Sequence, residues 1–301
     1  MAKFLICIGL ILSQNILLGA SLENHLFSRT HKSHSLFRLK NSSLGEFLLI
    51  HAKEYSLFKY GDKKISRKYA LALAQQIQTV INFSDPSKEI VLMLPARYHL
   101  PTSAVLLGKE VARLLASYNH IEIPLYELSR SSTLAGDFSA LESSESRLSA
   151  IDQHFYYEGL SLTGKTVIFI DDALVSGAHY METQRVLKNA DLNLDELFSF
   201  FIVQIDPSNP ETEKLSSESR LNNYYVSSKH PERLKKILLE DDPITPRMLK
   251  LILSSPETTE YFATHLPSKL CIKVCKALDA DRFQDKEIYQ KPMKRLCGEL
   301  Q

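Results

Sequence analysis

Apolar residues at Ile65, Tyr69, Leu73, Ala74, Ile77 and Val80–Ile81 recur close to helical spacing and predict a helix from Lys64 to Ile81. The aliphatic run "EIVLML", Glu89 to Leu94, predicts a short strand. "RYHLPTSA" reads as a loop, with Pro101 and Thr102/Ser103 opening a helix that carries Val105, Leu107, Val111 and Leu114–Leu115. "IEIPLYEL" predicts a second strand, "TVIFI" a third, Met181 to Ala190 a helix and "FSFFIVQI" a fourth strand. This alternation predicts an α/β fold, a parallel sheet flanked by helices and joined by right-handed crossovers. Ligands of such sheets bind beyond the carboxyl ends of the strands, where "LPARYHLPTS" and "DDALVSGAH" fall.

Three stretches depart from that pattern. Residues 21–44 are polar, rich in Lys, His and Ser, and are expected to form a poorly ordered lead-in. Ser129 to Ser146 is serine-rich and weakly patterned, as expected of a mobile excursion. Beyond Asp206, five segments begin at or near Pro, Thr or Asp and carry helical apolar spacing: "HPERLKKILLE", "TPRMLKLILSS", "PETTEYFATHL", "PSKLCIKVCKAL" and "DKEIYQKPMKRLCGEL". The expected organisation is a lead-in over 1–44, an α/β domain over 45–206 and a helical C-terminal region over 207–301.

Charge changes the picture by exclusion. With 36 Lys+Arg against 35 Asp+Glu the net charge is +1, so no global field draws the chain to nucleic acid, and no nucleic-acid partner is predicted. The four cysteines, Cys7, Cys271, Cys275 and Cys297, show neither disulfide-framework density nor paired zinc spacing. Cys271 and Cys275, four apart on one helix, are expected to be ordinary buried thiols. "MAKFLICIGLILSQNILLGASLENH" has the lysine, apolar run and small-residue exit of a secretory signal peptide, interrupted by Ser13-Gln14-Asn15. It is too short and too polar in its middle for a stable membrane span.

The chemistry concentrates in "TVIFIDDALVSGAHYMETQRVL", Thr166 to Leu187. Two adjacent carboxylates repel and have no packing reason to end a strand, so replacing either by Asn is expected to relieve repulsion. The following turn would aim backbone N–H groups outward from a helix N-terminus, an anion-binding nest. Gly177 would let the backbone approach closely, and Ser176 could donate its hydroxyl. A phosphate in the nest with vicinal hydroxyls on Asp171 and Asp172 describes a ribose 5-phosphate, and the carboxylate charge favours a nearby magnesium ion.

"VIFIDDALVSGAH" resembles the phosphoribosyl pyrophosphate (PRPP) loop of type I phosphoribosyltransferases, whose usual form is hydrophobics, D-D, two hydrophobics and T-T-G-G-T. Asp171 and Asp172 match the ribose-binding pair, and Ser176 and Gly177 match the second Thr and first Gly. Val175, Ala178 and His179 stand where that pattern has Thr, Gly and Thr. Lys59–Tyr60, Pro95, Arg130, Leu141 with Arg147, and Phe155 extend the similarity to the ComF-like branch, over roughly Tyr55 to Asp206. The D-D-x-x-x-[ST]-G-x-H form with a helical tail is more like members found near tellurium-resistance and stress gene clusters.

The resemblance implies transfer of phosphoribosyl from PRPP to a nitrogen acceptor with release of pyrophosphate. PRPP would be bound by Asp171, Asp172, Val175, Ser176, Gly177, Ala178 and His179, and its pyrophosphate by the loop Arg97, Tyr98 and His99. Arg97 and Arg130 would stabilise the departing charge, and Asp172 is the candidate proton acceptor. Magnesium would be held near Asp171 and Asp172 through ligand or water. Arg147 reads as a structural or solvent-facing residue, and Lys59 is a minor candidate for the site. PRPP is an intracellular metabolite, so a cytoplasmic location with residues 1–20 retained is expected, export being the alternative. A second copy of the chain is kept as a candidate partner.

A response-regulator receiver also carries an acidic pair, but after its first strand, whereas at least two strands precede Asp171. The competing functional reading keeps the fold and drops the chemistry: a non-catalytic PRPP or nucleotide sensor, or a stress- or competence-linked adaptor.

Overall fold

The structure is a computed structural model describing residues 31–40, 47, 51–132, 138–152, 154–189 and 194–298. The signal-like segment, most of the expected lead-in, Cys7 and residues 133–137 of the serine-rich excursion lie outside the described residues.

Six described strands form one sheet in the order β1-β6-β5-β2-β3-β4. They are β1 (His31–Leu39), β2 (Ile90–Arg97), β3 (Leu125–Arg130), β4 (Phe155–Tyr156), β5 (Thr166–Leu174) and β6 (Glu196–Ile205). All neighbouring pairs are parallel except β3 with β4. Helices α1 (Ala52–Lys59), α2 (Lys63–Val80), α3 (Ser103–Asn119), α4 (Ser144–Ile151), α5 (Ala178–Asn189) and α6 (Glu211–Asn222) belong to this part of the chain. The expected α/β architecture is present.

Strand alternation builds the core. On β5, Ile168 and Ile170 join one apolar cluster with Leu73 and Ile77 of α2 and Val105 and Val111 of α3. Val167 and Phe169 point the other way and pack with Val186 and Leu187 of α5, Ile151 and Phe155. β5 is therefore buried on both faces, as its continuous aliphatic run requires.

Four details correct the sequence expectations. His31–Leu39 is not an irregular lead-in but an edge strand, registered from His31 opposite Leu197 to Leu39 opposite Ile205. Its polar residues escaped the apolar test because an edge strand needs little apolar surface. The serine-rich excursion is also structured in part, through a 3₁₀ turn at Phe138–Ala140 and through α4, capped by Ser143. Arg130 sits on β3, not in that excursion. Lastly, Cys275 is not a free thiol: it is disulfide-bonded to Cys297, while Cys271 remains free and buried. Cysteine chemistry thus gives no support to the cytoplasmic expectation.

The last third of the chain is helical: α7 (Pro231–Leu239), α8 (Pro246–Ile252), α9 (Pro256–His265), α10 (Ser268–Ala280) and α11 (Glu287–Cys297). Proline occupies the first turn of α7, α8 and α9, where its missing N–H costs nothing, and Thr245 and Ser255 cap α8 and α9. These helices share their own core, including Leu234, Met248, Phe262, Val274 and Phe283. Tyr60, one residue past α1, belongs to that core as well. Ser56 of α1 reinforces the join, donating to the Asn222 carbonyl at 2.9 Å and accepting from the Val226 N–H at 3.0 Å. Among the described residues no helix is long and apolar enough to cross a membrane.

Candidate functional site

β5 does not stop before the acidic pair. It remains paired with β6 through Asp171 opposite Phe201 and on to Leu174 opposite Gln204. Successive residues of a strand point to opposite faces, so the two carboxylates diverge and find different neighbours. Asp172 meets the α1 and α3 side: its Oδ2 lies 2.5 Å from Lys59 Nζ and 3.4 Å from Ser103 Oγ. Asp171 lies within the electrostatic reach of Arg130, which ends β3. Its Oδ1 accepts the Asp172 backbone N–H at 2.8 Å. Burial, followed by the charge of Asp172, pushes the Asp171 carboxyl up to about 8.

Beyond Leu174 the chain turns through Val175, Ser176 and Gly177 into α5. Gly177 has φ +76°, a left-handed conformation that a residue with a Cβ adopts only under strain. The Met181 N–H donates to its carbonyl at 2.7 Å, and Ser176 Oγ accepts from the Ala178 N–H at 3.3 Å. The turn therefore has the expected strand-to-helix geometry.

His179, on the first turn of α5, is packed between aromatic rings rather than held in water. Its ring stacks on Phe138 at 4.6 Å and tilts against Phe155 at 5.7 Å. Burial, with Arg130, Lys59 and Arg147 adding to it, holds the imidazole well below its ordinary range. Its Nε2 and the Nε of Arg130 are both buried without a hydrogen-bond partner. The Arg130 guanidinium lies 4.8 Å from the centre of the Phe155 ring, and burial lowers it to about 10, still charged at neutral pH. Arg147 is structural: it is 1% exposed, pairs with Glu218 at 2.5 Å and donates to the Leu141 and Ser139 carbonyls.

The β2–α3 loop contributes less than its sequence promised. The Arg97 guanidinium is taken up by Glu127 and by the His99 carbonyl, the latter at 2.6 Å. Glu127 also pairs with Lys109 at 2.7 Å. Tyr98 lines the cavity, whereas His99 is exposed and does not. Asp281, from the end of α10, accepts the backbone N–H groups of His99 and Leu100 at 3.1 and 2.9 Å and fixes the loop from outside the sheet.

These elements enclose a cavity of about 520 Å³ at the carboxyl ends of the parallel strands. Asp171, Asp172, the Val175–His179 turn, Arg97 and Arg130 all line it. So do Lys59 and, from the helical region, Arg247, Lys250 and Tyr289. Sequence reading gave Lys59 only a minor place and passed over Phe138, Glu218 and Asp281. Phe138 and Asp281 carry no motif, and their roles arise only once distant segments meet.

Three comparisons with known proteins bear on this site. A family model described as PRTase ComF-like matches residues 31–255. No curated protein sequence matches the chain. Among solved structures, the hypoxanthine phosphoribosyltransferase of Staphylococcus aureus is 13% identical, over 48% of this chain and 66% of that one, with a TM-score of 0.32. The adenine phosphoribosyltransferase of Saccharomyces cerevisiae is 14% identical, over 53% and 76%, with a TM-score of 0.30. The AQ2163 protein of Aquifex aeolicus is 14% identical, over 63% and 98%, with a TM-score of 0.35. Likeness at this level carries no argument about activity. The family match does not depend on it: it takes in the whole sheet, the acidic strand and the first two helices of the C-terminal region, and by it the chain belongs to the ComF-like phosphoribosyltransferase family.

Proposed function

We propose that the chain binds PRPP in this cavity and transfers its phosphoribosyl group to a nitrogen acceptor. The observation that carries the reading is the buried acidic strand end running through the Gly177 turn into the N-terminus of α5, inside one cavity. Ribose hydroxyls would donate to Asp171 and Asp172, and the 5-phosphate would sit on the N–H groups of the Val175–His179 turn. The acceptor nitrogen would bond to C1 as the C1–O bond to pyrophosphate breaks, the electron pair leaving with the pyrophosphate oxygen. Arg130, charged and with an unpartnered Nε, is the better placed cation for that oxygen; Arg97 is already partnered by Glu127. Asp172 is the group proposed to receive the proton lost by the acceptor.

Two carboxylates are too few to enclose a magnesium ion, so one brought with PRPP would reach Asp171 and Asp172 only through ligand or water. Among the described residues no group of three or more His, Cys, Asp or Glu could hold a metal. The Asp172 Oδ2 is already engaged by Lys59.

Incubating the chain with PRPP and a panel of bases and small amines, while following pyrophosphate release, tests the reading. Acceptor-dependent release is expected; binding without release under any acceptor overturns catalysis. One observation favours the second reading, a sensor that binds PRPP without turnover: the Glu127 carboxylate neutralises Arg97 on the expected pyrophosphate side.

A further inference from the structure

Lys59 is the one cation drawn to hydrogen-bond distance of the acidic pair among the ion pairs described, and it comes from a rigid place. It is the last residue of α1, followed at once by Tyr60 in the C-terminal core, while Ser56 ties the same helix to Asn222 and Val226. The Lys59 and Asp172 side chains are 11% and 12% exposed, so the pair lies largely out of bulk water, where charge interactions are strongest.

The contacts around Asp172 put an ammonium where a metal on this carboxylate would stand: its Oδ2 lies 2.5 Å from Lys59 Nζ and 3.4 Å from Ser103 Oγ. Of the other charged groups packed against the pair, Arg147 is cancelled by Glu218, and Arg130 lies on the Asp171 side. A divalent cation placed at Asp172 would stand against the ammonium as a like charge.

We propose that Lys59 is the resident cation of this site, its ammonium organising Asp172 for the ribose hydroxyls so that PRPP binds without a magnesium ion on the acidic pair. The inference rests on the PRPP reading and adds which cation serves it.

The test is calorimetric titration of PRPP into the full chain, in EDTA and in millimolar magnesium, for the wild type, Lys59→Met and Lys59→Arg. The wild-type affinity is expected to differ by less than about threefold between the two buffers, and Lys59→Arg to behave similarly. Lys59→Met is expected to lose at least about tenfold in EDTA and to recover part of it in magnesium. An equal loss in both buffers would make Lys59 a scaffold residue and overturn the proposal. The wild type decides even where the methionine variant does not fold: binding lost in EDTA and restored by magnesium refutes the resident lysine while leaving PRPP as the ligand. Absence of PRPP binding in both buffers ends the PRPP reading and this inference together.

Discussion

At the scale of single residues, the proton on Asp171 is the most consequential charge in the cavity. The folded carboxyl titrates at about 8, whereas an unfolded aspartate releases its proton near 4. Between those values the folded state binds more protons than the unfolded one, so this residue's contribution to stability falls as pH rises through the window and levels off above it. Asp171→Asn removes that dependence. Its melting temperature should gain on the parent's as pH rises from 5 to 8.5, and an equal difference at both ends would contradict the assignment. Asp172 differs in having a cationic partner to lose. Relief of repulsion is not expected here, because Asp172→Asn strands the Lys59 ammonium, and the loss of a buried partner costs about 3 kcal/mol. A melting temperature at or above the parent's would refute this. Gly177→Val meets no atom within 4 Å of its new Cβ, so the strain at that atom comes from the left-handed φ, at about 1–2 kcal/mol. Its PRPP affinity, measured by titration, should collapse while the fold survives; unchanged affinity would remove the phosphate from this turn. The aspartates and Gly177 were legible because motif residues lie within a single turn of chain. The Lys59 contact was not, since it spans 113 residues.

Elements explain why the motif's unusual members are tolerated. His179 stands at the start of α5, where Phe138 of the 3₁₀ turn and Phe155 of β4 enclose its ring. An unfolded imidazole takes up a proton below about pH 6.5, while the enclosed one resists it, so its share of stability is present above that pH and is lost as pH falls. His179→Phe keeps the stack and removes the titration. The fall in melting temperature between pH 7 and pH 5 should therefore be smaller in the variant, and an identical fall would show that His179 does not titrate as described. In the sequence, β5 and β6 announced themselves as long aliphatic runs, α7 by its proline, and α8 and α9 by proline and hydroxyl caps. β4 did not: two residues carry no period, and Phe155–Tyr156 becomes a strand only because β3 offers it an edge.

At the scale of the molecule, two cores are joined where the cavity opens. The sheet supplies the acidic strand end, and the helical region supplies Arg247, Lys250 and Asp281. The disulfide between Cys275 and Cys297 closes α11 against α10, across 22 positions of sequence. Cross-linking a loop of that length stabilises by about 3 kcal/mol in the chain-entropy account. Thermal melts with and without a reductant should differ by several degrees, and coincident curves would deny the bond a stabilising part. The helical character of this region was readable from its sequence, but its cysteine pairing was not, because one period on α10 says nothing about what α11 brings back. The sheet holds a similar lesson in time. Among the described strands β1 pairs with β6 alone, and β6 begins more than 150 positions later in the chain. At ribosomal speed that is a wait of roughly 10–30 s for a partner. An apolar strand left so long in water would find another nascent chain first. Lys32, Ser33, His34 and Ser35, the same residues that disguise β1 as a loop, let it wait.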